Sequence, residues 1–164
     1  MSRGYFGTAI YRPRREENVG GLWRTAACYE AAFVATVGGT RYQKQSSDTP
    51  DTARHVPLLH YADMEDMVMR LPWGCALVAV EMTDDAVPLD HYVHRERALY
   101  LLGSETEGIP ASILTRCHDV IQIPTPRAFS LNVATAGSIV LAHRHMTRSS
   151  RRRGDLVPIE VPAN

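Results

Sequence analysis

The sequence predicts an α/β protein in which a mainly parallel sheet carries helices on both faces. Three observations carry this expectation. Phe33–Val37 (FVATV), Cys75–Glu81 (CALVAVE) and Ala98–Leu102 (ALYLL) are continuous apolar runs of strand length, the pattern of strands buried on both sides. Strand signals alternate with stretches of helical length along the whole chain, which favours a parallel sheet over a sandwich. The chain has 164 residues, of which 45% are hydrophobic, enough for one domain to bury its own core.

In order along the chain, Gly4–Tyr11 is rich in β-branched and aromatic residues and reads as a first strand ended by Pro13. Asn18 is a good cap for a helix LWRTAACYEAA, with Leu22, Ala26 and Tyr29 facing inward. Arg24 then falls in the first turn, where a cation opposes the helix dipole, and a residue that breaks a local rule is a functional candidate. Phe33–Val37 is the second strand, closed by Gly38 and Gly39, and a polar loop RYQKQSSDTPDTARH follows. His55–Tyr61 contains a short strand, Asp63 caps a helix MEDMVMRL that Pro72 stops, and Cys75–Glu81 is a buried strand. PLDHYVHRER is short and part helical before ALYLL. A glycine-bounded loop (Gly103–Gly108), a short helical segment, a strand Val120–Ile123 and a proline-broken loop lead to a long helix opened by Ser130 or Asn132. The domain is expected over residues 1–147, with 148–164 a basic, proline-containing tail.

Charge and cysteine usage exclude several classes. Cys28, Cys75 and Cys117 lie far apart without metal-ligand spacing, so neither a disulfide framework nor a zinc site is expected, and all three read as reduced and packed. No apolar run approaches the ~20 residues of a membrane span, and the first residues lack the apolar core of a secretory signal; the expectation is a cytoplasmic protein. Net charge is zero, yet residues 48–119 hold 13 acids against 5 arginines, while Arg144, Arg148, Arg151, Arg152 and Arg153 form a run without acids. Such a run is either a solvated helix end or a phosphate-binding surface.

The two loops that follow the apolar runs at 99–102 and 120–123 are expected to leave adjacent strands, the place where open α/β sheets build ligand sites. Gly103-Ser104-Glu105-Thr106-Glu107-Gly108 has G-x-x-x-x-G spacing, but Ile109 and Pro110 stand where a phosphate loop needs Lys-Ser/Thr. Glu105 and Glu107 would repel phosphate, and they suit a ligand with amino, sulfonium or hydroxyl groups. In the second loop Pro124 and Pro126 remove donors and stiffen the backbone before the helix.

LLGSETEGIP, IQIP and SLNVATAGSIVL together resemble the second and third motifs of the SpoU class of RNA ribose 2′-O-methyltransferases, in the SPOUT superfamily, and ENVGGLWRTA resembles its first. The resemblance runs from Gly4 to His145. It implies a C-terminal deep trefoil knot, against the general rule that chains do not thread their own loops, and S-adenosyl-L-methionine held between the motif loops. By motif position Leu102, Gly103, Gly108, Ile123, Ser130 and Leu131 surround the cofactor. Asn18, Glu105, Ser130 and Asn132 shape a catalytic pocket, and Arg24 activates the ribose hydroxyl, as a base in concert with a substrate phosphate or as an orienting group. It also implies a homodimer with the site near the interface, and no metal.

Ala134, Ala136, Gly137 and Ser138 would serve close packing either across that interface or against the sheet. Thr125 stands where the third motif usually has methionine, and the PRAF loop is short, so a different cofactor rim is expected. Arg127, Arg144, Arg148, Arg151, Arg152 and Arg153 are the expected RNA contacts, through phosphates rather than bases. The substrate expectation is tRNA ahead of rRNA. The alternatives are a catalytically silent SPOUT-fold module that binds RNA or protein, against which the full catalytic set speaks, and a nucleotide enzyme of another α/β type, whose lysine and glycine signatures are missing.

Overall fold

A computed structural model describes residues 4–39, 41–42, 52–127 and 129–153, without the side chains of residues 53 and 149–153. Its elements are β1 (Phe6–Tyr11), α1 (Glu16–Cys28), β2 (Phe33–Val37), α2 (Thr52–His55), β3 (Leu58–Tyr61), α3 (Met64–Met69), β4 (Ala76–Val80), β5 (Val87–Pro88), a 3-10 turn (Leu89–His91), β6 (Ala98–Leu102), α4 (Ala111–Leu114), β7 (Asp119–Gln122) and α5 (Val133–Arg153). The seven strands form one sheet in the order β3-β2-β1-β6-β4-β7-β5. All six strand pairs run parallel.

Helices cover both faces, as the apolar runs require. Side chains alternate along each strand, and Ala9, Leu77, Ala79, Leu99 and Leu101 pack toward α3 and α4. Val34, Val78, Ala98 and Tyr100 point the other way, toward Trp23 and Ala26 of α1 and Val140 and Leu141 of α5. A third cluster, Ile10, Val19, Leu22, Leu102 and Val133, closes the sheet at the carboxyl ends of β1 and β6. Full burial of each such aliphatic side chain stabilises the fold by about 1.5–3 kcal/mol.

The N-terminal helix differs from the sequence expectation. It begins at Glu16, with Arg15 as a cap that makes no side-chain bond, and Glu16 and Glu17 lie in its first turn. Those carboxylates complement the dipole. Asn18 is therefore inside the helix rather than capping it, and Arg24 lies well past the first turn, so the dipole conflict inferred for it does not arise. By contrast Asp63 caps α3 as expected, accepting from the Asp66 amide at 2.8 Å.

Of the two expected starts of helix α5, the structure takes Asn132, whose side-chain oxygen accepts from the amides of Ala134 (2.9 Å) and Thr135 (3.2 Å); the helix differs from the expectation at its far end. It continues through residues 148–153, which the apolar pattern assigned to a tail; arginine is a good helix former even where no apolar stripe continues. Residues 154–164 of that tail lie outside the described residues.

Close packing of α5 against α1 is intramolecular. A Cβ on Gly137 would lie 2.4 Å from Leu22 Cδ1 and 3.2 Å from Leu102 Cδ1, so only glycine lets the helix sit this near. Ser138 donates to Thr25 Oγ1 at 3.0 Å across the same contact. Of the cysteines, Cys28 is exposed rather than packed, and Cys75 is buried.

Arg144 is a correction to the basic surface. It is 2% exposed, and its guanidinium donates to the carbonyls of Arg95 (2.7 Å) and Glu96 (2.9 Å) and to the Tyr100 hydroxyl (2.9 Å). The cation also sits 4.7 Å from the centre of the Phe6 ring. It ties α5 to the amino end of β6 and is withdrawn from any RNA. A run of arginines on a helix does not reveal which of them faces inward.

Candidate active site

Parallel strands deliver their carboxyl ends to one edge, and here β6, β4 and β7 lie side by side in that order. The two motif loops therefore do not leave adjacent strands, because β4 separates them. Its exit, Glu81-Met82-Thr83, becomes a third wall. A cavity of about 980 Å³ lies among these three loops, the start of α1 and the start of α5. That is the upper end of the ~300–1,000 Å³ common for small-molecule sites.

The glycine loop is folded back on itself. Ser104 and Gly108 exchange backbone hydrogen bonds of 3.2 and 3.1 Å, and the Glu107 amide donates to Ser104 Oγ at 3.0 Å. Glu81 then clamps the loop from β4: Oε2 accepts from the Ile109 amide at 2.8 Å, and Oε1 accepts from the Met82 amide at 3.0 Å. Gly108 has φ +62°, and a Cβ there would lie 2.6 Å from Glu81 Oε2. Glu81 was missed from the sequence. The available signal was an acid ending an apolar strand, a position where a carboxylate meets the amides of the next loop.

A chain of hydrogen bonds joins the three motifs. Asn132 Nδ2 donates to Asn18 Oδ1 at 2.9 Å, and Asn18 Nδ2 donates to Glu105 Oε1 at 2.6 Å. The Arg14 amide donates to Glu105 Oε2 at 3.3 Å. The direction of this chain is fixed. The α5 amides hold Asn132 Oδ1, which turns its NH2 toward Asn18, and an ionised carboxylate only accepts. Asn18 is 6% exposed, so its amide needs these partners. Partial burial pushes the Glu105 carboxyl up, but the Asn18 amide and the backbone amides of Glu105, Arg14 and Arg15 outweigh it and hold the group below the usual carboxylate range.

All six residues expected around a cofactor, Leu102, Gly103, Gly108, Ile123, Ser130 and Leu131, line the cavity, together with Asn18, Glu105 and Asn132. Thr125 lines it too, its hydroxyl donating to the Arg127 carbonyl at 2.6 Å. Arg24 is exposed on α1 and does not line it. Neither do Arg127 and Arg148; Arg148 lies 3.7 Å from Glu96. The side chains of Arg151, Arg152 and Arg153 lie outside the described residues. Among the described residues no three His, Cys, Asp or Glu side chains are grouped to hold a metal ion.

Comparison with known proteins identifies the family and the fold. The profile of the SpoU rRNA Methylase family matches residues 7–142. The chain is 28% identical over 130 residues to the tRNA (guanosine(18)-2′-O)-methyltransferase TARBP1 of Mus musculus, a match covering 76% of this chain and 8% of the mouse protein. A chain solved in work on the 2-OH methylation of C/U34 on tRNA superposes with TM-score 0.78 at 23% identity, covering 92% of this chain and all of that one. An AdoMet-bound rRNA methyltransferase from Sinorhizobium meliloti superposes with TM-score 0.71 at 24% identity, covering 89% of this chain and 57% of that one. The parallel seven-stranded sheet is the α/β-knot fold of these structures, and the chain belongs to the SpoU RNA methylase family of the SPOUT superfamily.

Proposed function

We propose that the protein transfers a methyl group from S-adenosyl-L-methionine to a ribose 2′-hydroxyl of RNA, with tRNA favoured over rRNA. The observation that carries this reading is the Asn132–Asn18–Glu105 chain, which brings one polar residue from each motif to the wall of a single cavity.

The cavity fits the cofactor in size and chemistry. Glu81, Glu105 and Glu107 give it acidic walls suited to sulfonium and amino groups, and Leu102, Ile123 and Leu131 give apolar contact. When bound, S-adenosylmethionine supplies an electrophilic methyl group. The residues of the chain do the rest. A 2′-hydroxyl is a weak nucleophile, so placement and proton removal dominate the barrier. Asn18, Ser130 and Asn132 orient the ribose; Glu105 holds the Asn18 amide in one direction, and the first amides of α5 hold that of Asn132. Arg24, too weak an acid to act as a free base, polarises the hydroxyl or works with a substrate phosphate. Because it lies off the cavity wall within one chain, the reading includes a homodimer with the site near the interface. Arg127, Arg148 and the basic end of α5 contact RNA phosphates.

The test is mass-spectrometric mapping of ribose methylation in total RNA from cells with and without the protein. One 2′-O-methyl site, in tRNA, is expected to vanish with the protein and to return with the wild type but not with Arg24→Ala. An unchanged methylation map overturns the reading, and a lost site in rRNA overturns the tRNA preference.

A further inference from the structure

A second cavity opens beside the first, and the two share Arg14, Arg15, Ser104 and Glu107. The second also includes Arg12, at the turn after β1. Among the described residues lining the two cavities, Arg12, Arg14 and Arg15 are the only cationic side chains. Of the arginines expected from the sequence to meet RNA, Arg127, Arg144 and Arg148 line neither.

Each of the three is exposed, but they are not equivalent. Arg14 lies 3.5 Å from Glu107, which anchors it at the lip between the cavities. Arg12 and Arg15 have no ion pair among the described residues, although Arg12 lies 5.4 Å from the Tyr11 ring centre. Glu16 also borders the second cavity, so the anion that fits here is one held by arginine forks rather than by a diffuse field.

The position of this cluster gives it meaning. The Arg14 amide touches Glu105, the last member of the polar chain. Within an RNA strand, a ribose has phosphate esters on both sides of the reacting hydroxyl. The walls of the first cavity are otherwise acidic, so a strand lying over them needs cations at the edge where its phosphates leave. We propose that Arg12 and Arg15, with Arg14 held between them, form the seat for a backbone phosphate flanking the target ribose. This rests on the RNA methyltransferase reading given above.

The test uses the full-length protein, labelled unfractionated tRNA and salt from about 50 to 200 mM. Binding is measured by fluorescence anisotropy, and S-adenosylmethionine binding by calorimetry. Each lost phosphate contact should reduce the slope of log affinity against log salt by about 0.7–0.9. The Arg12→Gln/Arg15→Gln variant should therefore bind tRNA several-fold more weakly at 50 mM, with a slope flatter by about 0.7–0.9 for the one phosphate lost. Its affinity for S-adenosylmethionine should stay within twofold of wild type. Lysine at both positions should restore the slope, which counts charge, but not the full affinity, which needs the forks, and Arg70→Gln, an exposed arginine outside both cavities, should leave the slope unchanged. An unaltered slope overturns the proposal, as does an equal loss with Arg70→Gln. Loss of cofactor affinity in step with RNA affinity also overturns it, because the arginines would then hold the cofactor carboxylate. The readout does not depend on turnover, so a protein that binds tRNA through this seat without methylating it refutes the enzymatic reading alone.

Discussion

Asn18 and Asn132, 114 positions apart, are joined by a 2.9 Å hydrogen bond between their carboxamides. The same Asn132 side chain caps α5 with its oxygen. One residue thus starts a helix and completes the polar chain that reaches Glu105. The two tasks are separable by substitution. Asn132→Ala should cost about 1 kcal/mol of stability through the lost cap, whereas Asn132→Asp keeps the cap and should melt within a few degrees of wild type. Asp cannot donate to Asn18, so methyl transfer should fall at least tenfold in both. Initial rates alongside thermal denaturation decide this, and wild-type turnover in Asn132→Asp would remove the polar chain from the mechanism.

Gly108 lies where only glycine escapes both a left-handed backbone strain and the Glu81 carboxylate. Gly108→Ala should lose the Glu81–Ile109 bond and add roughly 1–3 kcal/mol of strain to the loop. S-adenosylmethionine affinity should drop about tenfold or more, read by calorimetry. Glu81→Gln, which keeps one acceptor oxygen, should lose less. Equal affinity in all three proteins would mean that the clamp does not shape the cavity.

Removal of Arg144 leaves the Tyr100 hydroxyl and two strand-end carbonyls without their donor in a buried place. Arg144→Met should destabilise the fold by about 3 kcal/mol or more in urea denaturation. The salt slope of RNA binding, measured at a temperature where the variant is folded, should match wild type. A flatter slope would return Arg144 to the RNA-contacting set.

Stability should decline in acid through two carboxyls. The Arg95 guanidinium holds Asp119 below the usual carboxylate range, with the Tyr92 hydroxyl assisting against partial burial, and amides hold Glu105 low. A group depressed in the fold contributes stability that is present above its unfolded pKa and lost as pH falls through its folded one. The melting temperature should therefore hold from neutrality to about pH 5 and drop below about pH 4. Asp119→Asn should lower it at pH 7 and reduce the acid-dependent drop. A drop as large as wild type in that variant would assign the acid sensitivity elsewhere.

Local sequence carried most of the strands and both motif loops, because a strand buried on two faces leaves an unbroken apolar run. β5 escaped notice because two residues make no pattern. Asn18 was misplaced for a more general reason. Short polar side chains favour helix caps, and that rule cannot see a partner more than a hundred residues away. The same blindness put β6 beside β7: strand order is set by crossovers, not by neighbouring residues, and so Glu81 of the intervening strand went unnoticed. Arg144 shows the converse limit, since charge density along a helix does not say which side chains the core takes in.

The pairing of β1 with β6 has a consequence for how the chain is made. Thr8 and Tyr100 are register partners 92 positions apart, so one edge of the first strand stays open while everything between them is synthesised. At roughly 5–20 residues per second, that interval is about 5–20 s. Through it the ribosome extrudes a strand with bare amides and apolar faces, the kind of edge that recruits the wrong neighbour. That edge of β1 is closed only once residues 98–102 have been made and paired with it.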